Sequence, residues 1–352
     1  MPTQAETVQT KLKRVGGVLL LPILCGVIMA IACRLAGTAL FTGSSTWQLF
    51  FRGMAYVLLL SFGVSVNMHT GRFDFSTGAT MLLGGVAGAL IAYGNGWGPI
   101  AMLFISMLVG CVTGLFSGWL YVLLRLPPMI IGLTMTLVLE GVVAIITDGC
   151  KPVGFGTDAS YYRFAVTPLW MCLIMLAAVI FMVVLFHYTK FGYDYRALRT
   201  GQKIVVRSGV NENGNAIVCY AVAGLLFGAA GALSVCSTNG VTPTINFSSI
   251  ASMFSCFLPL FFSEFIMKFC NKQVAIFVGC VAYELIQIGF GQISFADAGF
   301  TADVYKVVEA VILVLFLIYL NNEDTVTEFV TLRRKRRTGE RSAHTLAREE
   351  RG

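Results

Sequence analysis

Long blocks of apolar residues recur along this chain, and they limit its possible folds more than any other feature. Val166–Phe186 contains no charged residue, and Val304–Leu320 is nearly as apolar. Each block is close to the ~20 residues that a helix needs to cross ~30 Å of hydrocarbon. Neither shows the polar stripe of a water-facing helix. Only 12% of the 352 residues are charged and 57% are hydrophobic, against roughly 25% charged in soluble domains. A soluble core has no use for that much apolar surface, so the expected fold is all-α, a polytopic membrane protein.

The blocks place spans at 16–36, 49–66, 74–93, 99–124, 128–147, 168–188, 215–237, 248–267, 274–294 and 304–320, about ten transmembrane helices in all. An even number puts both termini on one side. Cytoplasmic segments retain Lys and Arg, and these collect in alternate connections. One side holds Lys11, Lys13, Arg14, Arg72, Arg125, Lys190, Arg196, Arg199, Lys203, Arg207, Lys268, Lys272 and the tail; of the 25 basic residues only Arg34, Arg52, Lys151, Arg163 and Lys306 are exceptions. Both termini are therefore expected in the cytoplasm. The organisation reads as a cytoplasmic N-terminal segment over 1–15, a transmembrane domain over 16–320 with a cytoplasmic loop at 189–214, and a basic tail over 321–352. The first apolar block follows three basic residues, as in a signal peptide, but it is as long as a full span and no A-x-A-like site follows it. It reads as the first transmembrane helix.

The net charge of +7 includes a run of five positive charges in the tail, Arg333–Arg337. That is an anchoring segment just past the last span and calls for no nucleic acid. The 37 Gly residues cluster within the spans, as at Gly84–Gly88 and Gly224–Gly231, where small residues let helices pack closely in lipid. The ten Cys include no C-x-x-C pair and read as small embedded hydrophobes, with no disulfide framework or metal site.

Two segments, and a set of acids within the spans, carry polar groups that apolar composition does not explain. Tyr188–Asn215 is the longest basic connection and has a helix-like stretch from Tyr195 to Arg207. It suits docking of a soluble partner, and equally a plain positive-inside anchor. Asn67–Gly78 sets Asp74 and Ser76 at the approach to a glycine-rich helix. An interrupted helix of this kind exposes backbone to a polar solute, although a cap at Ser76 with Gly71 ending the turn accounts for the same residues. The intramembrane acids Glu140, Glu264, Glu284 and Glu309 fit interhelical structural roles, or ion coupling in a secondary transporter. Enzyme chemistry has little support. His69, His187 and His344 lack metal-ligand spacing, and the chain has no G-x-S-x-G elbow and no G-x-x-x-x-G-K-[ST] phosphate loop.

The octet Gly71–Gly78, Gly-x-x-Asp-x-Ser-x-Gly, resembles the signature of bacterial ABC permeases of the ribose, galactose and xylose type, the branch that includes autoinducer and nucleoside permeases. Two further stretches match in order: Glu140-Gly141 through Thr147-Asp148-Gly149, and Arg196-Ala197-Leu198 followed by Ser208-Gly209-Val210-Asn211. The resemblance covers roughly 50–320. It implies a permease subunit of an ATP-driven importer that moves a sugar or similar small polar solute by alternating access in the bacterial cytoplasmic membrane. It also implies ABC ATPase subunits that bind ATP and Mg, an extracytoplasmic solute-binding protein and a second permease subunit, with no cofactor on this chain. By the same resemblance Asn67, Gly71, Asp74, Ser76 and Gly78 belong to the solute path, and Arg196, Arg199, Gly201, Arg207, Ser208, Gly209 and Asn211 to the ATPase contact. The chain departs from the pattern at Arg72 and Glu140, where the family has glycine and often arginine, at Arg199-Thr200, where it has glycines, and over Phe262–Asn271.

Overall fold

In the computed structural model of the protein, the backbone of residues 4–68, 70–207 and 209–296 is described, with Val307, Ala310, Val311 and Val314 beyond them. The chain divides into two compact units, Met1–Asp297 and Ala298–Gly352. The expected span at 304–320, with Glu309, and the basic tail lie outside the described residues, apart from those four helical positions.

The helices of the first unit are α1 (Gln4–Leu35), α2 (Ser44–Met68), α3 (Thr77–Gly94), α4 (Pro99–Leu124), α5 (Pro128–Ile146), α6 (Ala159–Val166), α7 (Pro168–Tyr188), α8 (Lys190–Arg207), α9 (Glu212–Ser237), α10 (Ala251–Phe254), α11 (Phe257–Ile266) and α12 (Lys272–Ala296). Among the described residues, nine helical stretches are long and apolar enough to cross a membrane, one of them the interrupted stretch Ser248–Ile266. Proline at the first helical position sets the starts of α4, α5 and α7, where its missing N–H costs nothing and its φ is already helical. Two residues of β1 (Val153–Gly154) pair antiparallel with β2 (Gly240–Val241). The connections around Arg72, Arg125, α8 and Lys268 form one end of the bundle, here the basic end; Trp97, β1, α6 and β2 mark the opposite end.

Glycine stripes on α3, α4 and α9 bring three backbones together. A Cβ on Gly110 would lie 2.2 Å from the Gly224 carbonyl oxygen, and one on Gly228 would lie 2.0 Å from that of Ser106. No side chain fits at either position, so the glycines serve packing, as their placement within spans implied. Outside this core, α4 and α7 turn apolar side chains outward: Leu108 is 67% exposed and Leu176 58%. A water-soluble protein does not expose such faces; a bilayer or a second subunit covers them.

Three expectations need correction. The span placed at 74–93 begins at Thr77, because the Asp74 carboxylate takes the Ser76 backbone N–H at 2.9 Å and holds 74–76 in a turn before the helix. The span placed at 248–267 is not continuous: a single 3-10 turn at Ser248–Ile250 leads into α10, and the chain restarts at α11. Pro259 has no N–H for the Ser255 carbonyl, so the helical ladder cannot run through that point. The helix expected over Tyr195–Arg207 starts earlier, at Lys190, where the Thr189 hydroxyl accepts from the Gly192 N–H at 3.2 Å. The amphipathic α6 was not expected at all. Asp158 caps it by accepting from Ser160 N–H at 2.9 Å, and Tyr161 and Phe164 turn inward. The Tyr161 ring stacks on Phe155 at 4.0 Å, and its hydroxyl donates to the Trp97 carbonyl.

Candidate functional site

Two non-helical stretches enter the bundle from opposite ends and meet. From the basic end, α2 stops at Met68 and the chain turns through Gly71, whose φ is +73°, a value that glycine adopts without strain. The stretch then climbs alongside α5. The Phe75 carbonyl accepts from the Thr136 hydroxyl at 3.1 Å, about 12 Å along α5 at 1.5 Å per residue. From the opposite end, the chain after β2 descends through Asn246 and Phe247, both left-handed with φ of 68° and 62°. It reaches Glu140, about 18 Å along the same helix. Both breaks therefore lie near the middle of a ~30 Å apolar layer.

Their contact is direct. A Cβ on Gly78, in the first turn of α3, would lie 1.9 Å from the Ser249 carbonyl oxygen. Only glycine lets the two segments touch, which gives the last residue of the Gly71–Gly78 pattern a physical role. Phe73 stacks on Phe257 with centroids 5.5 Å apart, a second contact between the segments.

Below that contact lies a cavity of about 10 Å³, lined by Asn67, Arg72, Asp74, Thr77, Phe227 and Met253 among others. That is room for roughly one water. Asn67 is 2% exposed, and neither its amide nitrogen nor its amide oxygen has a hydrogen-bond partner. An unpaired buried amide costs about 1–3 kcal/mol, so Asn67 is poorly explained by folding alone. Its backbone does structural work: the carbonyl accepts from Thr70 and Arg72 N–H groups at 3.2 and 3.1 Å.

Asp74 and Ser76 sit together as expected, and their mutual bonds are those of a turn. The Asp74 carboxylate accepts from both the Ser76 N–H and hydroxyl, at 2.9 and 2.8 Å. Part of the Asp74 surface stays accessible, and the residue also borders the cavity. Turn capping and cavity lining thus coexist in one residue. Arg72, a departure from the family pattern, is 3% exposed. Its guanidinium donates to the Thr70 hydroxyl at 3.2 Å, lies 3.7 Å from the Glu212 carboxylate and sits 5.8 Å over the Tyr121 ring. It joins the 70–76 turn to the start of α9 and the end of α4.

The expected ATPase contact falls on α8 and the turn after it. Tyr195 is buried and donates to the Val66 carbonyl at 3.0 Å, one residue before Asn67. Lys272 reaches the neighbouring Ser65 carbonyl at 3.2 Å. Arg196 is exposed and lies 4.6 Å over Tyr193. Gly209 has φ +96°, and Asn211 caps α9 by accepting from Gly214 N–H at 3.0 Å. Arg199, Gly201 and Arg207 have helical backbone, and Ser208 lies outside the described residues. The α8 helix and the cavity are therefore linked through Tyr195 and α2, and the start of α9 is linked to the cavity through Glu212 and Arg72.

Sequence reasoning did not single out Ser249, Met253 or Thr136. It did class Glu140 among interhelical structural acids, which the structure supports: its carboxylate accepts from Phe247 N–H, Ser249 N–H and the Ser249 hydroxyl at 2.9, 3.0 and 2.6 Å. The polar run Asn246–Ser249 ahead of an apolar stretch was the available signal.

A bundle of helices long and apolar enough to cross a membrane, with two broken segments meeting beside an unpaired amide, is the architecture of a polytopic membrane protein. The family model for the permease component of branched-chain amino acid transport systems matches residues 45–318; the chain belongs to that family. It is 29% identical over 193 residues to the ribose import permease protein of Bacillus subtilis (strain 168), a match covering 53% of this chain and 59% of that protein. The ribose import permease protein of Escherichia coli (strain K12) is 27% identical over 196 residues, covering 53% and 60%. The autoinducer 2 import system permease protein of Yersinia pseudotuberculosis serotype O:3 (strain YPIII) is 26% identical over 191 residues, covering 53% of each. The chain thus spans less than two thirds of the length of these relatives. No solved structure matches it.

Proposed function

We propose that this chain is the membrane-spanning permease subunit of an ATP-driven importer for a sugar or similar small polar solute, working by alternating access in the bacterial cytoplasmic membrane. The observation that carries the reading is the physical link between α8 and the cavity: Tyr195 holds the Val66 carbonyl at 3.0 Å, beside the unpaired Asn67 amide. A soluble partner that shifts α8 shifts the floor of the path. In this reading the basic end faces the cytoplasm together with both termini, as the distribution of Lys and Arg favours.

ATP and Mg belong to ATPase subunits docked on α8 and the 208–211 turn. A solute-binding protein delivers from the opposite end, and a second permease subunit, identical or not, covers part of the exposed apolar surface. Of the carboxylates that an ion-coupled carrier would draw on, Glu140 is occupied by the chain itself. The test is uptake in proteoliposomes. The chain with its ATPase and binding protein is expected to accumulate solute only with ATP inside. Uptake by the chain alone, driven by an ion gradient, would overturn the proposal.

A further inference from the structure

Glu140 does more than bridge two elements. All three donors to its carboxylate come from Phe247 and Ser249, and Glu140 itself is 1% exposed. Of the two left-handed residues, Asn246 tolerates that conformation, whereas Phe247 adopts it at a cost. They bring the Phe247 and Ser249 N–H groups to one side, where a carboxylate can accept both. The far end of the same segment, at Met253, lines the Asn67–Asp74 cavity. The Gly78–Ser249 contact closes the bundle between the two. Widening the path at this level requires Ser249 to move, and Ser249 cannot move without leaving Glu140. The interruption at Ser255–Cys256, between α10 and α11, supplies a place for the segment to bend.

We propose that Glu140 is a positioning residue for transport, a latch that holds the re-entrant segment 246–256 closed over the Asn67–Asp74 cavity. The proposal rests on the permease reading, and extends it from where the path lies to what holds it shut. Cys256 provides a reporter already in place, being 0% exposed and at the bend.

The experiment measures the rate at which a small charged thiol reagent modifies Cys256 of the full chain in isolated membranes, which expose both faces, with each cysteine followed by peptide mass mapping. Glu140→Ala is expected to raise the Cys256 rate about tenfold, the scale of losing hydrogen bonds to a charged group. Glu140→Gln keeps one acceptor but sets an amide N–H₂ against a backbone donor, so its rate is expected between those of wild type and Glu140→Ala. Ser249→Ala removes only the hydroxyl bond, for a rise of about threefold. Cys219 and Cys236, buried elsewhere in the bundle, are expected to stay at wild-type rates. Unchanged Cys256 rates in Glu140→Ala overturn the latch, and so does a uniform rise at all three cysteines, which marks general loosening. If Glu140→Ala does not reach the membrane, Ser249→Ala decides by the same criteria. Absence of ATP-dependent uptake by the wild-type assembly, with the Cys256 response intact, would overturn the importer reading and leave the latch standing.

Discussion

The α3–α4–α9 core and the junction of the two broken segments are neighbours built on opposite principles. In the core, glycines place backbone against backbone with no room for a methyl group, and every helix runs unbroken. At the junction, helices stop short, polar groups line a cavity, and one buried amide has no partner. Contact at the junction depends on a few hydrogen bonds, the Phe73–Phe257 stack and the close approach at Gly78. The first region resists any change of volume; the second has few interactions to break and so is where movement costs least.

The comparison can be broken by substitution. Gly228→Val should have the largest effect, since even its Cβ would lie 2.0 Å from the Ser106 carbonyl oxygen; a cost of about 3 kcal/mol or more is expected, read as loss of folded protein from detergent extracts. Retention of wild-type yield would remove the claim that the core is rigid. Arg72→Ala should be intermediate. It strips a buried cation from Glu212 and Thr70, costing about 2 kcal/mol in melting experiments because Glu212 stays partly solvated, with a larger loss of uptake than of protein. Asn67→Ala should have the smallest effect on stability, within about 1 kcal/mol and of either sign, because the amide makes no hydrogen bond that is lost. Uptake by this variant should nevertheless fall about tenfold or more, measured at matched expression; full uptake would return Asn67 to a filler role.

The same contrast explains what could be read from the sequence. Spans whose ends carry local signals fell into place: Pro99, Pro128 and Pro168 start α4, α5 and α7, whereas α9 starts at Glu212, ahead of the expected 215, because Asn211 caps it. The glycine core was legible because its residues repeat within helices. The turn ahead of α3 was legible because Gly71, Asp74 and Ser76 lie within a few residues of one another. The re-entrant segment was not, since apolar composition continues through Phe254–Ile266 and hides the interruption ahead of Pro259. Nor could Glu140 be matched with its partners, which lie 107 and 109 residues away; nothing local marks a contact that exists only once the bundle has assembled. Arg72 looked like a mismatch with the family pattern, and only its reach to Glu212 and Tyr121 shows what replaced the glycine.

The two-residue ribbon between Val153–Gly154 and Gly240–Val241 has a mechanical consequence. It fastens the long connection after α5 to the strand that leads into the re-entrant segment, so Gly154 and Gly240 move as one. A protein gripping the loop around Asp148–Asp158 would thereby also hold the chain that runs on, seven residues later, to the Glu140 contact.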